Sequence, residues 1–277
     1  MDATLRLGPY IVDVDRRRDC SLPIEFHREH SRAFSLPAAS SHAVEGGGFV
    51  GDVRRGGSCN CETHTLTPHA DGTHTEGPGH LLAERLPVSP PPPVQLAVVV
   101  RVAPRLLGES VDDVSGNHRH DDRVIDQAML IEAIAALDAH SIVGATALVI
   151  ATMGGARSRA ANHSGTNPAY LTVDAAAFIK DAGFMHLLVD LPSIDREDDG
   201  GLLAAHRAFF ELPTGLGATV PTTIAPRTVT ELCVVDDDIA PGPWALFLQV
   251  APIAADAAPS RPLLAPLRAA PAAEVIR

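Results

Sequence analysis

Three short and almost wholly apolar runs most constrain the fold of this chain. These runs are Gln95–Val102, Thr146–Thr152 and His186–Leu191. Apolar runs of this length without alternating polar residues predict strands that are buried on both faces of a sheet. Segments with helical spacing of apolar residues lie between and after them: Asp126–Asp138, Val173–Ala182 and Leu202–Phe210. Because helices alternate with buried strands, the sequence predicts an α/β fold.

The rest of the chain carries weaker signals. Tyr10–Asp13, Cys61–Thr67 and Trp244–Ala251 are predicted strands. Residues 36–58 form a predicted loop rich in Ser, Ala and Gly, with one short predicted strand, Phe49–Val53, inside it. No internal repeat and no domain boundary interrupts these elements. We therefore expect residues 1–277 to form a single domain.

Charge and composition exclude several classes of function. A formal net charge of -12 is unfavourable for contact with nucleic acid or an anionic membrane, which need clustered Lys and Arg. No segment approaches the roughly 20 apolar residues of a membrane helix, and residues 1–6 lack the pattern of a signal peptide. The four cysteines do not indicate a disulfide framework in a chain of this length. We expect a cytoplasmic protein.

The histidines indicate metal chemistry. Four of the 13 histidines lie between residues 64 and 80. Within this stretch, His74 and Glu76 are two residues apart and point to the same side of an extended chain. Gly77-Pro78-Gly79 predicts a turn that returns His80 to the same space, and His69 lies just upstream. Imidazole and carboxylate ligands together suit Zn²⁺, Mn²⁺ or Fe²⁺; the alternative is a polar surface loop with incidental histidines.

Further ligands must come from elsewhere in the chain. His206 lies on a predicted short helix, and Glu231 lies in an apolar, strand-like stretch, where a carboxylate is costly to bury unless it is paired or bound to metal. Taken alone, each of the two residues is more often structural. His118 and His120 are predicted to lie in a solvated loop, and Cys59-x-Cys61 lacks the spacing of a common zinc knuckle.

Several segments, in order along the chain, resemble those of a known family. These segments are Asp19–Ile24, Gly72–His80 with His69 upstream, Asn167–Leu171 and Val189–Asp195. They are similar to the Asp-Leu-Ser-x-Pro, His-x-Gly-Thr-His-x-Asp-x-Pro-x-His, Asn-Pro-x-Tyr-Leu and Asp-x-Pro-Ser-x-Asp segments of the cyclase family of metal-dependent hydrolases. That family includes bacterial kynurenine formamidase and isatin hydrolase.

The resemblance implies a fold and a set of site residues. The family fold is a swivelling β/β/α domain, with a mixed β-sheet core and flanking helices, that is usually dimeric or larger. Carried over by motif, the metal ligands are His69, His74, Glu76, His206 and Glu231. One or two divalent ions, Zn²⁺ or Mn²⁺, would be held there. His80 would act as the general acid/base.

The chain departs from the family pattern at three places. Four positions separate His69 from His74 where the family has three, and Ala70 stands at the usual position. Glu76 replaces an Asp, and therefore reaches one methylene further. The interval from His206 to Glu231 is also longer than in the family.

The implied activity is hydrolysis of an amide bond in a small molecule by a metal-activated water, with His80 moving the proton. The substrate would be an arylformamide such as N-formylkynurenine, or a cyclic amide. Two alternatives stay open at this point. One is a lactone or cyclic-imide hydrolase, and the other is a non-catalytic protein of the same fold that binds a metal or a small ligand. The sequence offers no Gly-x-Ser-x-Gly nucleophile elbow and no phosphate-binding loop.

Overall fold

The apolar runs are strands that lie side by side in one sheet of the computed structural model, which describes residues 5–26, 32–214 and 222–271. In chain order the strands are β1 (Arg6–Leu7), β2 (Tyr10–Val12), β3 (Arg18–Asp19), β4 (Ser40–Ala43), β5 (Glu45–Gly46), β6 (Phe49–Val50), β7 (Glu62–Thr65), β8 (His74–Glu76), β9 (Gln95–Arg101), β10 (Arg105–Leu106), β11 (Arg123–Ile125), β12 (Ala147–Ala151), β13 (Tyr170–Leu171), β14 (His186–Val189), β15 (Thr228–Glu231), β16 (Gly242–Val250) and β17 (Ala257–Ala269). The α-helices are α1 (Pro68–Asp71), α2 (Gln127–Ala135), α3 (Gly155–Ala160), α4 (Val173–Asp181) and α5 (Ala204–Phe210). Turns of 3-10 helix lie at Val14–Arg16, Val53–Arg55, Pro78–Leu81, Leu107–Glu109 and Ala139–Ser141.

The main sheet closes on itself. Its strands follow the order β17-β16-β9-β12-β14-β15-β8, and β8 pairs again with β17. The neighbours from β9 to β15 are parallel, whereas β8, β16 and β17 pair antiparallel with theirs. The predicted α/β class, with a mixed sheet and flanking helices, is confirmed.

Alternate residues of the central strands face two different cores. On the helix-facing side, Val98, Leu148 and Leu187 pack with Leu130 of α2 and Ile179 of α4. The enclosed side is lined by smaller residues: Ala97, Val99, Ala147, Val149 and Ala151. Both faces are therefore buried, as the absence of alternation predicts. Small side chains fill the narrow interior of a closed sheet, which fits the low aromatic content.

Helices α2 and α4 end slightly earlier than the sequence predicts, whereas α5 begins two residues later than predicted and ends at the predicted Phe210. Asp126 caps α2 by accepting a hydrogen bond from the backbone N–H of Met129 at 3.0 Å. Thr172 caps α4 by accepting one from Ala175 at 3.1 Å. Gly183, just beyond α4, adopts a left-handed conformation with φ +89°, which glycine takes without steric cost. None of the helices in the described part of the chain is long and apolar enough to cross a membrane.

Two segments differ from the prediction. Strand β17 is the longest of the described strands and has no counterpart in the sequence analysis. It contains Pro259, Pro262 and Pro266, and proline argues against a strand because it has no N–H for the ladder. Residues 36–58, predicted as a loop with one short strand, contain β4, which pairs with β7, and the β5–β6 hairpin.

Burial of His186 generates a prediction about stability. Its side chain lies at the start of β14, where Nδ1 lies 2.9 Å from Thr228 Oγ1, and burial lowers its pKa from 6.5 to about 4. The folded state therefore resists protonation, and stability falls as the pH drops below 6.5 towards 4. Between pH 7.5 and pH 5.0 this single group should remove about 2 kcal/mol from the free energy of unfolding.

Urea unfolding of the wild type and of His186→Asn at both pH values measures this contribution. The asparagine keeps a polar atom near Nδ1 but does not titrate. The stability advantage of the wild type over His186→Asn should shrink by that amount at pH 5.0. The exposed residue His140 supplies the control His140→Asn, whose difference from the wild type should stay nearly constant. An undiminished advantage of the wild type at pH 5.0 would contradict the prediction.

Candidate metal centre

Strand β8 carries the first two candidate ligands. It is hydrogen-bonded on both edges, to β15 and to β17, so that Glu76 lies opposite both Val229 and Ala257. His74 lies opposite Glu231 on β15, and the two side chains approach to 3.4 Å between Nε2 and Oε2. The antiparallel register thus places His74, Glu76 and Glu231 on one face of the sheet.

The Gly-Thr pair before His74 fixes where β8 lies. A Cβ on Gly72 would approach Ile24 Cγ1 to 2.7 Å and Leu22 O to 2.9 Å, so a larger residue would push the N-terminal segment away. The Thr73 hydroxyl accepts a hydrogen bond from Leu22 N at 2.6 Å and donates one to Leu232 O at 2.5 Å. Glycine at position 72 therefore permits this close approach of the two backbones.

Helix α5 places His206 over this face of the sheet. Asp195 accepts hydrogen bonds from the backbone N–H groups of Ala205 at 2.8 Å and His206 at 3.1 Å, and from His206 Nδ1 at 2.6 Å. The ring is therefore oriented with Nε2 towards Glu76 Oε1, 2.5 Å away, and Glu231 Oε1, 3.5 Å away. A carboxylate behind a histidine is the common arrangement at metal sites because it selects the tautomer.

The helical turn α1 explains the shifted spacing of His69. Because residues 68–71 are helical rather than extended, His69 Nδ1 comes to 3.0 Å from Glu76 Oε2. Ala70, at the usual position of the family histidine, is buried instead. The structure thus brings His69 to the cluster despite the additional residue.

The Gly77-Pro78-Gly79 turn returns His80 to the cluster, as predicted. A 3-10 turn covers Pro78–Leu81, and His80 Nε2 lies 3.9 Å from Glu76 Oε2. A Cβ on Gly79 would come within 2.1 Å of Leu86 O, so this tight turn requires glycine. His80 is a quarter exposed, whereas Glu76 is buried. His80 therefore lies at the open side of the cluster.

Several buried polar atoms in the cluster lack a hydrogen-bond partner. These atoms are His74 Nε2, Glu76 Oε1, Glu76 Oε2 and His206 Nε2. Buried polar atoms without partners are rare and costly in native proteins. The cluster contains two groups with ligand atoms close enough to share an ion: His69, His74 and Glu76, and Glu76, His206 and Glu231. The mixed imidazole and carboxylate donors suit a divalent transition metal.

Electrostatics within the cluster hold the carboxylates ionised. Burial favours the neutral form of Glu76, but the positive charge of His206 keeps the pKa of the Glu76 carboxyl well below its usual value. Burial likewise opposes protonation of His69, yet Glu76 and Asp256 raise its pKa to about 9. Protons on the imidazoles thus compensate the buried carboxylates, and a divalent cation would supply the same positive charge.

Asp195 and Asp256 also belong to this site, although neither was predicted from the sequence as a site residue. Asp195 lies in the Val189–Asp195 segment that resembles the family motif, but the sequence does not indicate its contact with His206. Asp256 follows two alanines and precedes two more, and no local pattern marks it. Its Oδ2 lies 3.2 Å from His69 Nε2 and 3.4 Å from His80 Nδ1.

The segments Asn167–Leu171 and Val189–Asp195, which resemble family motifs, form a scaffold beside the cluster. Asn167 and Tyr170 donate hydrogen bonds to Asp122 at 2.8 and 3.0 Å, and Arg196 donates one at 2.8 Å. Burial raises the pKa of Asp122 in isolation, but these donors bring it down to about 2. Asp190 accepts hydrogen bonds from the backbone N–H groups of residues 152 and 153. These contacts fix the loops on either side of Asp195.

The other histidines and cysteines that the sequence offers near candidate motifs lie outside the cluster. His118, His120, Cys59 and Cys61 are exposed. His64 stacks on Phe26 with the ring centroids 4.2 Å apart. Residues 27–31, and residues 215–221 in the long interval after His206, lie outside the described part of the chain.

Known proteins share the family motifs and the fold of this chain. The family described as "Putative cyclase" matches residues 19–196, and none of the curated proteins matches the chain. A predicted metal-dependent hydrolase from Bacillus stearothermophilus is 16% identical with a TM-score of 0.53, over 90% of this chain and 97% of its own. Isatin hydrolase A from Labrenzia aggregata, bound to benzyl benzoate, is 14% identical with a TM-score of 0.58, over 90% and 93%. Isatin hydrolase A from Ralstonia solanacearum is 14% identical with a TM-score of 0.57, over 90% and 91%.

Glu76 belongs to both candidate ion-binding groups, the one with His69 and the one with His206, and this generates a prediction. Glu76→Gln keeps the shape of the side chain but removes the charge and one acceptor oxygen, so both groups should lose affinity for Zn²⁺ or Mn²⁺. The loss should exceed the roughly 10–100-fold that removal of an outer hydrogen-bond partner costs. Calorimetric titration of chelator-treated protein measures it. Glu132→Gln, on the exposed side of α2, should bind like the wild type. Equal affinities of Glu76→Gln and the wild type would contradict the prediction.

Proposed function

The chain belongs to the putative cyclase family, and from this premise we propose that it is a metal-dependent hydrolase of a small amide. The observation that carries the proposal is the set of buried atoms around Glu76 that lack a hydrogen-bond partner, with the quarter-exposed His80 beside them. A structural metal site closes all positions around its ion, whereas a catalytic site keeps one side open. Here His74, Glu76, His206 and Glu231 form a buried floor. The side chains of His69, His80 and Asp256 are partly exposed and form the rim of the site.

The two groups would hold one or two divalent ions. His69, His74 and Glu76 would form one position, and Glu76, His206 and Glu231 the other. Glu76 Oε2 faces His69 and Glu76 Oε1 faces His206, so this glutamate would be shared between two ions. We propose Zn²⁺ or Mn²⁺, since both suit a mixed site of histidine and carboxylate. When bound, such a cation lowers the pKa of a coordinated water and polarises a carbonyl oxygen.

His80 would serve as the general acid/base. Its Nε2 points towards Glu76 from the exposed side of the cluster, at 3.9 Å, where a small substrate and the attacking water would enter. An imidazole nitrogen can accept a proton from the attacking water and donate it to the leaving nitrogen. The surrounding buried residues exclude bulk water from the opposite side, which strengthens these electrostatic interactions.

The proposed substrates are arylformamides such as N-formylkynurenine, and cyclic amides. Two of the similar structures are isatin hydrolases, whose named substrate is a cyclic amide, and this supports the second class. In both classes water attacks the amide carbonyl and a nitrogen leaves, which requires the same proton transfer. A lactone or a cyclic imide would present a similar carbonyl to the same groups.

A substrate panel with a His80 variant tests the proposal. Protein loaded with Zn²⁺ or Mn²⁺ should hydrolyse N-formylkynurenine or isatin, and chelator treatment should abolish the activity. His80→Ala should keep the wild-type metal content while its kcat falls by roughly 10²–10⁴-fold, the usual contribution of general acid–base catalysis. His118→Ala, at an exposed loop position, should remain fully active.

Three outcomes would contradict parts of this proposal. Full activity of His80→Ala would refute the role of that histidine. Turnover restricted to an aryl lactone or a cyclic imide would replace the amide substrate. Stoichiometric metal uptake without turnover of N-formylkynurenine, isatin, an aryl lactone or a cyclic imide would favour a binding protein of the same fold.

A further inference from the structure

Asp256 contacts the two histidines of the exposed rim with a single oxygen. Its Oδ2 lies 3.2 Å from His69 Nε2 and 3.4 Å from His80 Nδ1. The two imidazole rings lie beside each other, with centroids 4.3 Å apart. A carboxylate oxygen can accept two hydrogen bonds at once, so one side chain serves both rings.

The backbone holds this carboxylate in place from the opposite end of the chain. Asp256 immediately precedes Ala257, which pairs with Glu76 across the β8–β17 ladder. The Asp256 carbonyl accepts a hydrogen bond from Gly77 N at 3.1 Å. Asp256 is therefore fixed relative to Glu76 by the closure of the sheet and not by a flexible loop.

These contacts decide which nitrogen of each ring carries the hydrogen. An ionised carboxylate only accepts hydrogen bonds, so His69 donates from Nε2 and His80 donates from Nδ1. When a bound cation takes over the positive charge that protons supply in the metal-free cluster, the opposite nitrogens carry the free lone pairs. His69 Nδ1 faces Glu76 Oε2 at 3.0 Å, and His80 Nε2 faces the same oxygen at 3.9 Å. Both lone pairs therefore point into the cluster.

We propose that Asp256 is a positioning residue that sets the tautomer and orientation of His69 and His80 together. His69 is thereby prepared to bind a cation through Nδ1, and His80 to accept a proton from the attacking water at Nε2. Carboxylates commonly orient histidines in this way, one carboxylate to one ring. Here a single residue couples the metal position to the proton carrier. This inference rests on the proposed function.

Kinetics and metal affinity of Asp256 variants test the inference. In Asp256→Ala, kcat should fall roughly 10–100-fold and the affinity for Zn²⁺ should fall by a similar factor, while KM should change little because a positioning residue acts through the two histidines and not on the substrate. Asp256→Asn should recover most of both, since its amide oxygen accepts the same two hydrogen bonds. The control Asp237→Ala removes an exposed carboxylate that lies 3.9 Å from Arg101, and should match the wild type.

The ring tautomers provide a measurement that does not depend on turnover. In ¹⁵N-histidine spectra of the Zn²⁺-loaded wild type, His80 should carry its hydrogen on Nδ1. The signals of His80 are assigned by their absence from the spectrum of His80→Ala. Asp256→Ala should shift His80 towards the Nε2–H tautomer. An unchanged tautomer, or wild-type kcat and Zn²⁺ affinity in Asp256→Ala, would overturn the inference.

Two further outcomes separate this inference from its alternatives. If Asp256→Ala binds one ion fewer than the wild type, Asp256 is itself a ligand, and the positioning role is wrong. If the wild type neither takes up Zn²⁺ nor hydrolyses any compound of the panel, the proposed function fails. The ¹⁵N spectrum of the metal-free protein then still decides whether His80 Nδ1 donates to Asp256.

Discussion

Burial of the Glu76 carboxylate is the constraint on which the rest of this structure depends. Both oxygens are inaccessible to water and lack hydrogen-bond partners, and an isolated buried carboxylate costs several kcal/mol. The chain meets this cost with imidazoles from three different elements, on α1, on α5 and in the turn after β8. Each of these elements must be in place before the charge is compensated, so the fold and the cluster form together.

The same strand closes the sheet and carries this charge. Glu76 lies opposite Val229 on one side and Ala257 on the other, so loss of β8 would open the ring of strands. The contacts of Gly72 and Thr73 tie β8 to the N-terminal segment as well. This placement on rigid elements holds the candidate ligands more precisely than a surface loop would.

The graded exposure of the cluster matches the chemistry that we propose for it. The buried floor keeps water away from most of the site, while the rim formed by His69, His80 and Asp256 admits a substrate. A proton carrier must exchange protons with water, whereas a ligand need not. It is therefore His80, and not His74 or His206, that lies where such exchange is possible.

The sequence by itself determined the elements whose signals are local. The apolar runs predicted strands buried on both faces, the helical spacing of apolar residues predicted α2 and α4, and His74-x-Glu76 followed by a Gly-Pro-Gly turn predicted a convergent cluster. The α/β fold and the family followed from motifs of that kind. The assignment of His206 and Glu231 relied on resemblance, because no local rule connects them with His74.

Only the tertiary structure decided the remaining features, because they depend on contacts between distant parts of the chain. Strand β17 forms despite three prolines since it pairs with β16 along one edge and with β2, β3 and β8 along the other. The turn α1 brings His69 into reach although its spacing is shifted. Asp256 reaches both rim histidines across more than 170 intervening positions. Side-chain period and turn chemistry act over a few residues, whereas the sheet register sets these long-range contacts.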